Sequence, residues 1–323
     1  MRPFSFARAI EVTGAIATVQ TNPEAKFIAG GTTLLDLMKQ DVEKPTQLVD
    51  VNSLPFSQIE NISNGVRIGA MARMSDVAEN SIIRDRFPAI SQSLLLSASP
   101  QLRNMASIGG NLMQRTRCGY FRDPAFPCNK RNPGSGCPAM AGEHQKHAIL
   151  GTSEQCAATH PSDMAVALVA LDAVVWVQGA KGERRIPMTE FHLLPGNTPH
   201  KETALEAGEL IVAVEVPDAI YAARSHYMKI RDRASYEFAL VAAAVGLESE
   251  NGTIKAARIA LGGVGTKPWR SLEAESFLQG KSGTRDNFRQ AAEVALAGAK
   301  PLPHNGYKVE LAKRALVRAL ESV

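Results

Sequence analysis

The spacing of apolar positions along this chain changes several times, and each change marks a switch between strand and helix. Residues 26–29 (KFIA) form a short apolar run, followed by Gly-Gly-Thr and then by Leu34, Leu35, Leu37 and Met38 at helical spacing. This predicts a buried strand, a glycine turn and a helix. Residues 47–51 (QLVDV) return as a second strand, and Pro55 marks a break between two small units. VRIGAM predicts a strand leading to Ser75, the expected N-cap of a helix over SDVAEN, after which a longer amphipathic helix ends near Ser97-Ala98-Ser99-Pro100. His160-Pro161-Ser162-Asp163 caps a helix over MAVALVALDA, which gives way to the strand VVWV. GELIVAVEVP is a further strand, closed by Pro217.

Beyond Pro217 the pattern changes. HYMKIRD, EFALVAAAVGLE and IKAARIALGG predict three strands, with Asn251-Gly252 as the hairpin turn between the last two. Helical segments close the chain. The organisation expected is therefore α+β: residues 1–220 as one domain made of two α/β subdomains (about 1–54 and 55–220), and residues 221–323 as a C-terminal α+β domain, a three-stranded antiparallel sheet with helices.

A length of 323 residues fits two or three packed units, and 45% hydrophobic with 21% charged residues is ordinary for a soluble globular protein. A net charge of +4 gives no general support to nucleic-acid binding. No apolar run approaches the length of a membrane span. The opening MRPFSFARAI runs into polar, helix-like sequence and does not resemble a signal peptide.

Composition changes the picture at one place. All four cysteines, Cys118, Cys128, Cys137 and Cys156, fall in one window dense in Pro, Gly, Arg and Lys. Such a segment cannot build an apolar core, so four thiolates around a metal centre would supply its order. Two disulfides or unrelated buried thiols are the alternatives. Within the metal reading both zinc and iron–sulfur remain open. The cysteines come singly, separated by nine, eight and eighteen residues, and this spacing favours a wide cage such as a [4Fe–4S] cube over the close pairs of structural zinc. His144 and His147, also in this window, are expected at the surface or supporting the cysteines rather than ligating. The basic residues Arg115, Arg117, Arg122, Lys130 and Arg131 suit a solvated face, a docking site for an acidic carrier, or tuning of a nearby cluster.

Two glycine-rich turns carry the second signal. Ala29-Gly30-Gly31-Thr32-Thr33 sits between a strand and a helix, with Thr33 and Asp36 spaced as a capping box. Ser107-Ile108-Gly109-Gly110-Asn111 repeats the pairing of glycines with a small polar residue. Neither is GxGxxG, so a Rossmann site is not implied. Each alone reads as a tight turn; together they suggest two loops cradling a pyrophosphate.

KFIAGGTTLLDLMK with QLRNMASIGGNL resembles the FAD-binding subunit of the xanthine dehydrogenase and molybdenum hydroxylase family, and the similarity continues through HPSDMAVALVALDA, GELIVAVEVP, YMKIRDRASYEFALV and IALGGV to span the chain. The cysteine window resembles an insertion, about residues 115–158, found in flavin subunits of bacterial periplasmic aldehyde oxidoreductase and of hydroxybenzoyl-CoA reductase; QRTRCGYFRD, PCNKRNPGSGC and ATHPSDMAVA look closest to the former. The resemblance implies a vanillyl-alcohol-oxidase/MurB-type (PCMH) FAD-binding domain. It places the first FAD-binding loop on Lys26, Phe27, Ile28, Ala29, Gly30, Gly31, Thr32, Thr33 and Leu34, with Ala29, Gly30, Gly31 and Thr32 against the pyrophosphate, and the phosphates and ribityl chain near Ala106, Ser107, Gly109, Gly110 and Asn111. Asp163 is expected to hold the adenosine part or to cap the loop that does, and Leu205 and Lys229 to approach the adenine or flavin ring. Cys118, Cys128, Cys137 and Cys156 would hold a [4Fe–4S] cluster.

By the same resemblance this chain transfers electrons and has no catalytic residue of its own. A large partner would carry the molybdenum cofactor and oxidise aldehydes, and a small partner would carry [2Fe–2S] clusters. The chain shows no counterpart of the aromatic residue that shields the flavin in NAD-using relatives, which makes an external acceptor such as ferredoxin the expectation. Co-export to the periplasm with a signal-bearing partner is expected, with the cytoplasm as alternative. Two other functions fit parts of the sequence: a stand-alone flavin oxidase of the same fold, and a zinc-stabilised RNA-binding or scaffold module built on the basic cysteine segment.

Overall fold

A computed structural model describes residues 1–323 and contains three sheets. The first is parallel: strands Ser5–Arg8, Ala25–Ile28 and Gln47–Asp50, with the third in the middle. Parallel neighbours need crossovers, and the helices Val12–Thr21 and Leu34–Lys39 provide them. The opening segment thus differs from expectation, because Ser5–Arg8 is an edge strand and the helix starts only at Val12. Its four residues are mostly exposed on both faces, which leaves no alternation to read.

The second sheet is antiparallel and five-stranded. Two hairpins, Ile59–Ile62 with Gly65–Gly69 and Val174–Gly179 with Gly182–Pro187, flank the central strand Leu210–Pro217. That central strand is an unbroken apolar run through Val214 because both its faces are covered. Ile59–Ile62 and Gly182–Pro187 are edge strands rich in polar residues, and carry no comparable signal.

Several helices differ from the pattern-based expectation. Ser75 is not an N-cap; the helix Met74–Glu79 starts after Arg73, and Ser75 Oγ lies 3.4 Å from its neighbour Asp76. The single long helix is two, Ser81–Arg86 and Pro88–Leu95. Pro88 cannot donate the backbone hydrogen bond that would continue the first, and occupies the opening turn of the second. Ser162 does cap the helix Asp163–Ala170, its Oγ accepting from the Ala165 N–H at 3.1 Å. All eight residues of this helix are buried, as befits an apolar helix surrounded by other elements.

The C-terminal sheet contains the three expected strands, now bounded as Ser225–Ile230, Val241–Glu250 and Thr253–Gly262, and a fourth, the two-residue edge strand Trp269–Arg270. Asn251 and Gly252 both have positive φ (50° and 76°), the geometry of a type I′ turn. Alternation along the strands sends side chains to two cores. Ala243, Val245, Ile259 and Leu261 pack with the helices Leu272–Leu278, Arg285–Leu296 and Tyr307–Leu320. Ala242, Ala244 and Ala260 face the other way, into the core shared with the helix Asp163–Ala170. Only small residues fit at this seam: a Cβ on Gly262 would stand 2.6 Å from Val166 Cγ2.

Overpacking the seam is therefore expected to destabilise the whole chain. Ala244→Leu should cost about 1–3 kcal/mol, read as a lower urea midpoint with unchanged slope. A midpoint equal to that of the parent protein would contradict close packing there.

Candidate functional site

Two loops meet at one point, one leaving the parallel sheet and one joining the helices Pro100–Met105 and Ile108–Leu112. Ala29–Thr33 leaves the carboxyl end of the strand Ala25–Ile28, the end at which α/β sheets gather ligands. Gly31 turns the chain there with φ +71°. The second loop places Ser107 as N-cap of the one-turn helix Ile108–Leu112, with Ser107 Oγ accepting from the Gly110 N–H at 3.2 Å. The loops touch at Gly30, where a Cβ would overlap the Met105 carbonyl oxygen, so only glycine allows the approach.

A polar strap fixes this contact. Asn52 Nδ2 donates to the Ala29 carbonyl at 3.0 Å, and Arg73 donates to Asn52 Oδ1 at 3.0 Å and to the Met105 carbonyl at 2.5 Å. Asn52 and Arg73 are isolated polar residues with no local signature, and sequence reading missed both. The expected Thr33–Asp36 capping box does not form. Thr33 is the N-cap without a side-chain bond, and Asp36 accepts from Arg117 (3.3 Å) and Arg122 (2.5 Å).

Beside the joined loops lies a cavity of about 540 Å³, within the size range of cofactor pockets. Lys26, Phe27, Ile28, Ala29, Gly30, Gly31, Thr32, Thr33 and Leu34 all line it, as do Ala106, Ser107, Gly109, Gly110 and Leu205. Other wall positions carried no such signal, among them residues 206–211 on the approach to the central strand, Leu37, Glu43, Met113 and Arg115. Two wall carboxylates are already neutralised. Glu43 pairs with Arg115 and, at 3.8 Å, with Lys26. Glu209 is gripped by Arg184 at 2.6 and 2.7 Å, which holds its carboxyl below the usual range. The second loop spends its N–H groups on the Ala70, Ala72 and Ser107 oxygens, so the N–H groups of Gly30 to Thr33, with the Thr32, Thr33 and Ser107 hydroxyls, face the cavity opposite an apolar wall and suit an elongated ligand with a phosphate-bearing middle. FAD has that form, and the residues present fit it.

Three predicted contacts lie elsewhere. Asn111 Oδ1 accepts from Ser162 Oγ at 2.6 Å, tying the second loop to the helix Asp163–Ala170 rather than lining the cavity. Asp163 and Lys229 are spent on each other, with 2.8 Å between Oδ2 and Nζ and almost no exposure. Tyr227 Oη adds a 2.6 Å bond to Asp163 Oδ1, and the Leu96 carbonyl accepts from Lys229 at 3.1 Å. A buried carboxylate and a buried ammonium each require such a partner. The pair joins the helix Asp163–Ala170 to the C-terminal sheet.

The cysteines do converge. Cys118, Cys128, Cys137 and Cys156 line one small cavity, together with Phe121, Lys130 and His147, and none is in a disulfide. No three His, Cys, Asp or Glu side chains come close enough to share a metal ion. Burial pushes the Cys118 thiol up to about 11, against hydrogen bonds from the Phe121 and Tyr120 N–H groups. Burial likewise raises Cys137, opposed by N–H groups of Ala139, Ala157 and Met140. Four sulfurs on one cavity, two of them met by backbone amides, are donors that a metal–thiolate centre would use.

The surroundings of the cysteines are built from outside. The basic run is not a solvated face: Arg115 and Lys130 pair with Glu202 (2.6 and 3.2 Å), Arg117 and Arg122 with Asp36, and Arg131 donates to the Tyr120, Phe121 and Phe126 carbonyls. His144 and His147 are buried, so the surface option for them falls. His147 Nε2 stands 3.2 Å from Cys118 Sγ, and burial brings this imidazole down to about 4. His144 Nε2 accepts from the His304 N–H at 3.1 Å, which leaves the proton on Nδ1 for the Ala139 carbonyl at 3.0 Å. Asn305 donates to the His147 and Ala148 carbonyls, and the buried Lys308 to the Lys146 carbonyl at 2.9 Å. The C-terminal domain thus clamps the last arm of the cysteine segment.

Residues 2–219 match the family model for the FAD binding domain in molybdopterin dehydrogenase, and residues 225–323 that for the CO dehydrogenase flavoprotein C-terminal domain. The chain is 47% identical to the aldehyde oxidoreductase FAD-binding subunit PaoB of Escherichia coli, over 99% of this chain and 98% of that one. It is 27% identical to the glyceraldehyde dehydrogenase medium chain of Sulfolobus acidocaldarius, over 99% and 98%. Among solved structures, carbon monoxide dehydrogenase from Hydrogenophaga pseudoflava superposes with a TM-score of 0.77 at 27% identity, covering 99% of this chain and 97% of that one.

The Asp163–Lys229 pair makes a direct prediction. Lys229→Met leaves a carboxylate buried without its cation and should cost about 3–5 kcal/mol, measured by urea unfolding. Asp163→Asn added to Lys229→Met should recover most of that loss; no recovery would show that the charges are not paired.

Proposed function

Because the chain belongs to the family of FAD-binding subunits of molybdenum hydroxylases, we propose that it is the electron-transfer subunit of a heteromeric aldehyde oxidoreductase, carrying FAD and one [4Fe–4S] cluster. The observation that supports this most is the pairing of a two-loop cavity with a separate four-thiol cavity in one chain. The full-length relative at 47% identity supports the aldehyde-oxidising branch. FAD, when bound, supplies the exchange between one-electron and two-electron carriers.

The chain's own residues hold and insulate. Gly30 lets the two loops close on each other, Gly31 turns the first loop, Ser107 fixes the second, and Lys26 and Arg115 bring cations to the wall. Cys118, Cys128, Cys137 and Cys156 are the four ligands of the cluster. No residue is assigned a proton-transfer role. Aldehyde oxidation falls to a large molybdenum-cofactor subunit, and a small [2Fe–2S] subunit delivers electrons. An external carrier such as ferredoxin removes them.

Purified with its partners, the chain should contain one FAD and four irons, with flavin and broad iron–sulfur absorbance. Cys137→Ser should remove the iron and loosen residues 118–156 while FAD stays bound. A colourless zinc protein would sink the reading, and loss of FAD with iron retained would contradict the division between the two cavities.

A further inference from the structure

We propose that Glu202 electrostatically couples the two cavities, setting the reduction potentials of both centres through Arg115 and Lys130. This rests on the reading of the cavities as FAD and cluster sites. Glu202 Oε1 accepts from Arg115 Nε at 2.6 Å, and its Oε2 lies 3.2 Å from Lys130 Nζ. Arg115 lines the large cavity and Lys130 lines the cysteine cavity, so one carboxylate holds a cation at each. Arg115 also donates to the Lys130 carbonyl at 3.4 Å, which ties the two basic residues directly.

The wall between the cavities is thin. Leu37 lines the large cavity and packs in one cluster with Phe121, Cys128 and Cys118. Phe121 lines the cysteine cavity, and the Arg115 guanidinium lies 4.5 Å from its ring centre. Arg115, Glu202 and Lys130 are 24%, 25% and 11% exposed, so water and salt screen them weakly. Adding an electron to either centre adds negative charge, which a nearby cation favours and a nearby carboxylate opposes. Glu202 moderates both cations at once. The coupling is reciprocal, so a charge change at one cavity is felt at the other.

The test is a redox titration of the complex with its partner subunits, following flavin by visible absorbance and the cluster by electron paramagnetic resonance. Glu202→Gln preserves shape and removes the charge; with FAD and iron contents unchanged, both midpoint potentials should rise. If only one centre moves, or neither, the proposal is overturned. Should Glu202→Gln fail to load its cofactors, Lys130→Gln decides. Lys130 does not line the large cavity, yet its loss should lower the cluster potential strongly and the flavin potential by a smaller amount; an unmoved flavin overturns the coupling. A parent complex lacking FAD or iron would instead overturn the cofactor reading, an outcome separate from these.

Discussion

The close approach of Gly30 to the Met105 carbonyl is the contact on which the rest of the site depends. It brings the loop after the strand Ala25–Ile28 against the turn that joins the helices Pro100–Met105 and Ile108–Leu112, and the cavity is the space this junction encloses. Any side chain at residue 30 would push the loops apart. The junction needs more than glycine, because backbone carbonyls at a crowded corner want donors. Asn52 and Arg73 meet that need for Ala29 and Met105. A third element then closes the space: residues 205–211, leading into the strand Leu210–Pro217.

The cysteine segment is organised on a different principle. With almost no apolar core of its own, it is held by charged and polar groups reaching in from three directions. Asp36 and Glu43 come from the parallel sheet's second crossover, Glu202 from the approach to the central strand, and His304, Asn305 and Lys308 from the C-terminal domain. Basic residues that look like a surface patch in the sequence turn inward to these carboxylates and to backbone carbonyls. Such partly buried networks contribute chiefly to geometry, since desolvation offsets much of the attraction. What they fix here is the position of four thiols around one small space.

The C-terminal domain serves both ends of this arrangement. One face of its sheet carries alanines against the helix Asp163–Ala170, and the Asp163–Lys229 pair locks that seam. Its closing helices cover the other face, and the start of the last of them, with the turn before it, clamps residues 144–148. Rigid packing at the seam therefore holds the cysteine segment in register with the large cavity.

Much of this was legible in the linear chain because it is written in local rules. The glycine loops, the Ser162 cap, the Asn251-Gly252 turn and the two-faced C-terminal strands each follow from a few adjacent residues, and fourteen predicted positions of the large cavity do line it. Edge strands such as Ser5–Arg8 were not legible, since exposure on both faces erases the period that marks a strand. Asp163 and Lys229, sixty-six residues apart, look like ligand contacts until burial forces them to satisfy each other. The sequence alone determined the family, the strongly periodic elements and the presence of four thiols in one window. Only the tertiary structure decided which charges are spent internally and which residues wall the cavities, because burial, unlike helical or strand periodicity, depends on what distant segments bring to the same place.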